Sequence, residues 1–143
     1  MRTRITSVLV TVTVVVLIVV VATQFSARGD GSRTDVTKAN IRDILLYTRV
    51  YCENRKAFPD PEGWKAALKS GMSNQKDAEW IEKCSKDGWG SLLRCEIIGD
   101  GKNAEFRCWS VGPNLVDEHG EGDDIVGILR GSEILWGHGQ EQG

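Results

Sequence analysis

The sequence predicts an α+β fold in which an N-terminal transmembrane helix continues into an amphipathic helix packed on a small antiparallel sheet. Three observations predict it. A long uncharged segment lies near the N-terminus, and apolar side chains then recur at helical spacing between Thr34 and Asn54. After residue 91, apolar side chains alternate with period two in short runs that glycine-rich turns separate.

The first element is a predicted membrane anchor over residues 5–27, which follows a short cytoplasmic stub, residues 1–4. The anchor contains no charged residue. As a helix it would span roughly 34 Å, enough for a hydrocarbon core of about 30 Å. Arg2 and Arg4 favour a cytoplasmic N-terminus. Cleavage after Ala22, as in a signal peptide, is the alternative. Residues 28–35 are small and polar and form a predicted linker.

Beyond the anchor, the composition predicts one small extracytoplasmic domain, residues 36–136, followed by a mobile tail, residues 137–143. Of the 18 Lys and Arg residues, Arg2 and Arg4 precede the anchor, so the rest of the chain carries 16 basic against 20 acidic residues. This mild acidity argues against nucleic acid as a partner.

The amphipathic helix is predicted from Thr34 to Asn54. Its core-facing stripe has spacings of three and four residues and contains Ile41, Ile44, Leu45, Thr48 and Cys52.

Short elements follow this helix. Asp60 as N-cap and Pro61 at the first helical position predict a short helix that buries Trp64, Ala67 and Leu68 and ends at Gly71. A second short helix is predicted from Asp77 to Cys84, with Trp80, Ile81 and Cys84 on its buried side. Near the C-terminus, the apolar runs Ile125–Leu129 and Ser132–Trp136 are predicted strands.

A hairpin is predicted from Leu92–Ile98 and Ala104–Ser110, with Gly101-Lys102 as its two-residue turn. In that register Cys95 lies opposite Cys108. All four cysteines follow the anchor, and an even number in an exported domain favours disulfides. We therefore predict the links Cys95–Cys108 and, from the remaining pair, Cys52–Cys84.

An acidic, glycine-containing loop follows the hairpin. Between Asn114 and Asp124 it offers the oxygen ligands that calcium prefers, although the spacing is not that of an EF-hand. A solvated acidic loop is the alternative. The two histidines, His119 and His138, suggest no catalytic set with serine or cysteine, so we expect no enzyme activity.

Three stretches together resemble the major pseudopilin of type II secretion (general secretion pathway protein G), a type IV pilin-like family. They follow the family's order and spacing and are Tyr51–Pro59 with Gly63–Leu68, Asp87-Gly88-Trp89-Gly90, and Trp109–Asn114 with Gly122–Ile125. The resemblance implies a pilin-like fold and a calcium ion in the loop. Its implied ligands are the Val111 carbonyl, Asn114, a group near Val116 or Asp117, Asp123 and Asp124.

The N-terminus departs from this family. Pilin-like precursors have a glycine before the cleavage point and a glutamate at the fifth mature position, whereas here Arg4-Ile5-Thr6-Ser7 precedes the apolar run. The leading hypothesis is an unprocessed, single-pass protein of the bacterial inner membrane with a periplasmic domain. It would act in or beside a type II secretion or pilus-like assembly. Its partners would be other pseudopilins, inner-membrane secretion proteins or further copies of itself. The alternative is a membrane-tethered binding module for another envelope partner.

Overall fold

Four strands and three helices make up the part of the chain that the computed structural model describes, residues 31–137. The elements in chain order are α1 (helical from residue 31 to residue 55), α2 (Trp64–Ser70), α3 (Gln75–Cys84), β1 (Arg94–Ile98), β2 (Glu105–Ser110), β3 (Ile125–Arg130) and β4 (Glu133–Trp136). The strands form one antiparallel sheet in the order β1-β2-β3-β4. The predicted α+β class is confirmed.

The predicted stub and anchor, and most of the tail, lie outside the described residues, which exclude residues 1–30 and 138–143. Within residues 31–137, none of the helices combines the length and the apolar composition that crossing a membrane requires.

Helix α1 covers the sheet with the stripe that its spacing predicts. Ile41, Ile44, Leu45 and Thr48 are fully buried, and the Thr48 hydroxyl donates to the Ile44 carbonyl (2.9 Å), so its burial leaves no hydroxyl proton unpaired. Gly127 of β3 allows this close approach, because a Cβ atom there would lie 2.6 Å from Ile41 and 2.8 Å from Leu45. Cys52, at the end of the predicted stripe, is only half-buried.

The start of α1 is held by the turn that follows α3. The Thr37 hydroxyl donates to the Arg33 carbonyl (2.8 Å) and accepts the Gly88 amide (2.8 Å). A Cβ atom on Gly88 would lie 2.3 Å from the Arg33 carbonyl oxygen. Only glycine therefore lets the turn lie this close to the helix backbone.

Helix α2 begins later than the sequence predicts. The Asp60 carboxylate accepts the Glu62 amide (3.1 Å) and its carbonyl accepts the Gly63 amide (3.0 Å), so Asp60 starts a turn and does not cap the helix. The predicted burial of Trp64 and Leu68 and the end of the helix at Gly71 are confirmed, whereas Ala67 is only half-buried.

Helix α3 begins at Gln75, two residues before the predicted start, because the Asn74 side chain caps it by accepting the Asp77 amide (2.8 Å). Ile81 and Cys84 are fully buried as predicted. The predicted burial of Trp80 is wrong: its side chain is 43% exposed, and its indole nitrogen donates to Asp43 of α1 (2.9 Å).

The first hairpin has the predicted register, with Cys95 opposite Cys108 and Ile97 opposite Phe106. The predicted two-residue turn is wrong, because pairing stops at Ile98 and Glu105 and a 3-10 turn, Gly101–Asn103, follows. The second hairpin does have a two-residue turn, Gly131 and Ser132, with Arg130 opposite Glu133.

All four cysteines are free thiols in this structure. Cys95 and Cys108 are cross-strand neighbours, so their disulfide stays a prediction. Cys84 lies at the start of β1, where the Ser85 carbonyl accepts the Leu93 amide (2.9 Å).

Cys52 shares a cavity with Gly101 and Ala104 at the other end of β1, a strand that spans about 17 Å. A disulfide needs Cα atoms within about 7 Å, so the predicted Cys52–Cys84 link does not fit this structure. Burial raises the pKa of both thiols to about 11.

Candidate metal centre

Three carboxylates converge in the loop between β2 and β3, residues 111–124. Glu118, Asp123 and Asp124 each offer an oxygen, and these oxygens all lie within 4.8 Å of one another. Calcium–oxygen distances in proteins are about 2.3–2.6 Å, so one ion could contact all three. We call these residues the carboxylate trio. Asp124 is its buried member, with 6% of the residue exposed.

The trio is held by backbone amides of the same loop. Asp124 Oδ2 accepts the amides of Glu118 (3.1 Å) and Gly120 (2.8 Å). Glu118 Oε2 accepts the Asp123 amide (3.1 Å). The loop is thus closed on itself by its own carboxylates, an arrangement that brings like charges together.

Two glycines make room for these oxygens. A Cβ atom on Gly122 would lie 2.0 Å from Glu118 Oε2, and one on Gly112 would lie 2.6 Å from the Asp123 carbonyl oxygen. Both glycines have positive φ values, +58° and +65°. A side chain at either position would displace the oxygens and strain the backbone.

Two of the predicted ligands lie at the start of this loop. Asn114 Nδ2 donates to Asp123, and Asn114 Oδ1 accepts the Val116 amide (2.6 Å). Asn114 is therefore a direct neighbour of the trio, and it bonds to it through nitrogen. Val111 is buried at the end of β2.

Asp117 is directed away from the trio. Its Oδ1 accepts the Trp109 indole (3.0 Å) and the His119 amide (3.1 Å), and its Oδ2 forms an ion pair with Arg94. Burial raises the pKa of Asp117, but these hydrogen bonds and the Arg94 charge outweigh burial and hold the pKa below its usual value. Where the resemblance implies Asp117 as ligand, the structure brings Glu118 to the trio.

Asp87 joins the base of the loop to the turn after α3. Its Oδ2 accepts the Ser110 hydroxyl (2.7 Å), and the Ser110 oxygen accepts the Gly112 amide (3.1 Å). Its Oδ1 accepts the amides of Trp89 (2.9 Å) and Ser91 (2.8 Å). Asp87 belongs to the resembling stretch at residues 87–90, but the pattern there predicted no contact for its side chain, although an aspartate before glycine is typical of such side-chain turns.

The donor set of the trio consists of carboxylate oxygens, which suit a hard cation such as calcium or magnesium. The glycine cradle at Gly122 and the proximity of three negative charges fit such an ion. His119 stands outside this set, since its side chain is 84% exposed and lies 3.8 Å from Asp117.

No family model, curated protein or solved structure matches the chain.

Proposed function

We propose that this chain is a pseudopilin-like, membrane-anchored structural component of, or accessory to, a type II secretion or pilus-like assembly, with a loop that calcium stabilises. The observation that carries the proposal is the combination of one long helix on an antiparallel meander with converging carboxylates in the β2–β3 loop. The resemblance of the motifs in this loop and in the 87–90 turn supports it.

The proposed calcium site is structural. Glu118, Asp123 and Asp124 would hold the ion, which would supply positive charge to three carboxylates that otherwise repel one another. Asp124 already accepts two backbone amides, so fixing its carboxylate also fixes the course of the loop from Glu118 to Gly120. The loop would then present one defined surface to an assembly partner.

Thermal unfolding of the full chain in a neutral detergent tests the calcium site. At free calcium a hundredfold above its dissociation constant, binding to the folded state stabilises by about 2.7 kcal/mol. We expect a higher melting temperature in calcium than in chelator, and we expect Asp123→Asn to abolish the difference. Glu121→Gln is the matched control, because it removes one charge from the same loop outside the trio. Equal melting temperatures with and without calcium would refute the site.

Deleting the gene in the native host tests the assembly role. We expect the amounts of exported proteins to fall, and wild-type chain to restore them. Asp123→Asn should restore them only in part. The chain extracted from the membrane should begin before residue 23 when its N-terminus is sequenced, as an uncleaved anchor requires. An unchanged set of exported proteins would contradict the assembly role.

A second candidate function, a membrane-tethered binding module for another envelope partner, is favoured by an open groove between α1 and β4. The groove has a volume of about 580 Å³. It combines an apolar floor with basic side chains from the helix.

A further inference from the structure

The outer edge of the sheet at β4 has no strand partner within residues 31–137. Arg130 and Glu133 close a two-residue hairpin, and the Gly137 amide donates to the Val126 carbonyl (3.0 Å). Hydrogen-bonded pairs alternate along an antiparallel ladder. The backbone groups of residues 133, 135 and 137 therefore face β3, whereas those of Ile134 and Trp136 point to the outer edge.

A groove with basic walls runs beside this edge. Leu46 of α1, Ile134 and Trp136 form its half-buried apolar floor. The walls carry three cationic side chains of α1, which are Lys38, Arg42 and Arg49. An exposed strand edge beside an apolar floor and three cations is suited to an extended, anionic chain.

The spacing of two of these cations, Lys38 and Arg42, matches that of side chains on one face of a strand. Arg49 Nη1 donates to the Ser132 carbonyl (3.4 Å), which places Arg49 at the start of β4. Lys38 and Arg42 are one helical turn apart, about 6 Å along the axis. Side chains on one face of a strand repeat every two residues, about 6.8 Å. Acidic side chains at alternate positions of a strand beside β4 would therefore lie at the spacing of Lys38 and Arg42. Arg49 lies about 10.5 Å further along the helix axis, outside this spacing, and pairs with Glu53 of α1.

We propose that this groove binds an extended acidic segment of a partner protein, which adds to β4 as a fifth strand. The backbone of Ile134 and Trp136 supplies the strand hydrogen bonds, the apolar floor takes an aliphatic side chain, and Lys38 and Arg42 pair with alternate carboxylates. The proposal does not depend on calcium or on the assembly role, so each can fail without the other.

Fluorescence anisotropy with the full chain in neutral detergent tests this proposal. The probe is a labelled synthetic peptide in which glutamate alternates with valine. We expect saturable binding that weakens as salt is raised. Arg42→Glu should weaken binding by about tenfold, since it replaces an attractive charge with a repulsive one. Arg42 is exposed, so the substitution leaves the core intact.

Lys76→Glu is the matched control, because Lys76 is exposed on α3 and does not line the groove. It should leave the affinity within about twofold, as a charge remote from the peptide is screened. Equal losses for Arg42→Glu and Lys76→Glu would overturn the proposal, since binding would then depend on net charge alone.

Strand addition has its own test. The same peptide, N-methylated at alternate residues, keeps its charges and side chains but loses the amides that would bond to β4. We expect at least a tenfold loss of affinity, since each of several hydrogen bonds contributes. Undiminished binding would overturn strand addition.

The oligomeric state of the wild-type chain is a further test. If sedimentation showed an oligomer that Arg42→Glu dissociates, the groove would bind a second copy of this chain, and the partner proposal would be overturned.

Discussion

The β1–β2 hairpin and the β2–β3 loop adjoin each other, but they are stabilised by different interactions. The hairpin is held by a continuous backbone ladder and by buried apolar side chains such as Phe106. The loop is held by carboxylates that accept backbone amides, with Asp124 and Glu118 as the main acceptors. Burial of apolar surface changes little with pH or ions, whereas charged acceptors respond to both. The loop is therefore the part of this domain whose stability solution conditions can change.

The largest expected effect concerns the hairpin. Phe106 is fully buried and stacks on Phe58 with ring centroids 5.8 Å apart. Phe106→Ala should lower the free energy of unfolding by about 3–5 kcal/mol. Denaturant titration of the full chain measures this loss, which should be the same in calcium and in chelator. A loss of unfolding free energy that calcium reversed would show that the hairpin and the loop are not stabilised independently.

The next effect separates the two adjacent acidic residues of the loop. Glu118→Gln should remove most of the calcium-dependent stabilisation, about 2.7 kcal/mol at a hundredfold excess over the dissociation constant. Asp117→Asn should keep that stabilisation while lowering stability in chelator, because Asp117 is occupied by Arg94 and Trp109. Calorimetry of both variants with and without calcium gives the comparison. If calcium stabilised Glu118→Gln but not Asp117→Asn, the calcium ligand would be Asp117 and not Glu118.

A smaller effect concerns the junction between the regions. Asp87→Asn loses an ionised acceptor for the Ser110 hydroxyl. In chelator it should lower the free energy of unfolding by about 1–2 kcal/mol. It should also weaken calcium binding in a titration, since Ser110 positions the Gly112 amide at the start of the loop. Ser110→Ala is the control that leaves the Asp87 bonds to Trp89 and Ser91 in place. Unaltered calcium affinity in Asp87→Asn would show that the junction does not position the loop.

The smallest effect is on the acid side of the stability profile. The folded-state pKa of Asp117 lies below its unfolded value, so its contribution is present above the unfolded pKa of about 3.9. That contribution is lost as the pH falls through the lowered folded-state pKa. In chelator, Asp117→Asn should therefore unfold with a shallower pH dependence below about pH 4. An identical acid limb in wild type and variant would contradict the ion pair with Arg94.

Periodic elements were predictable from the sequence because their side chains repeat. The buried stripe of α1 and the register of Cys95 with Cys108 both follow from spacing. The turn of the first hairpin was not predictable, because glycines at 99 and 101 permit several turn geometries. Asp60 was misassigned because the same carboxylate–amide bond can cap a helix or make a turn.

Irregular segments were less predictable from the sequence. Nothing in the order of Asp117 and Glu118 indicates which one turns toward the trio, since a loop has no period that assigns neighbours to faces. Cys52 and Cys84 were paired by elimination, and elimination contains no information on distance. The charge of Arg94, which holds Asp117, is on a strand twenty-three residues earlier, beyond any local pattern.

The meander order of the sheet has a consequence for how the chain folds. Each strand pairs with the one next to it in sequence, so the ladder can grow strand by strand, and the longest connection to close is the loop of residues 111–124. Helix α1 is different, because its start meets Gly88, fifty-one residues later. Low contact order within the sheet favours rapid pairing, and docking of α1 adds the long-range step. In a chain that is synthesised from its N-terminus, α1 is therefore complete before the sheet exists. Its apolar stripe remains exposed to solvent until the strands have paired.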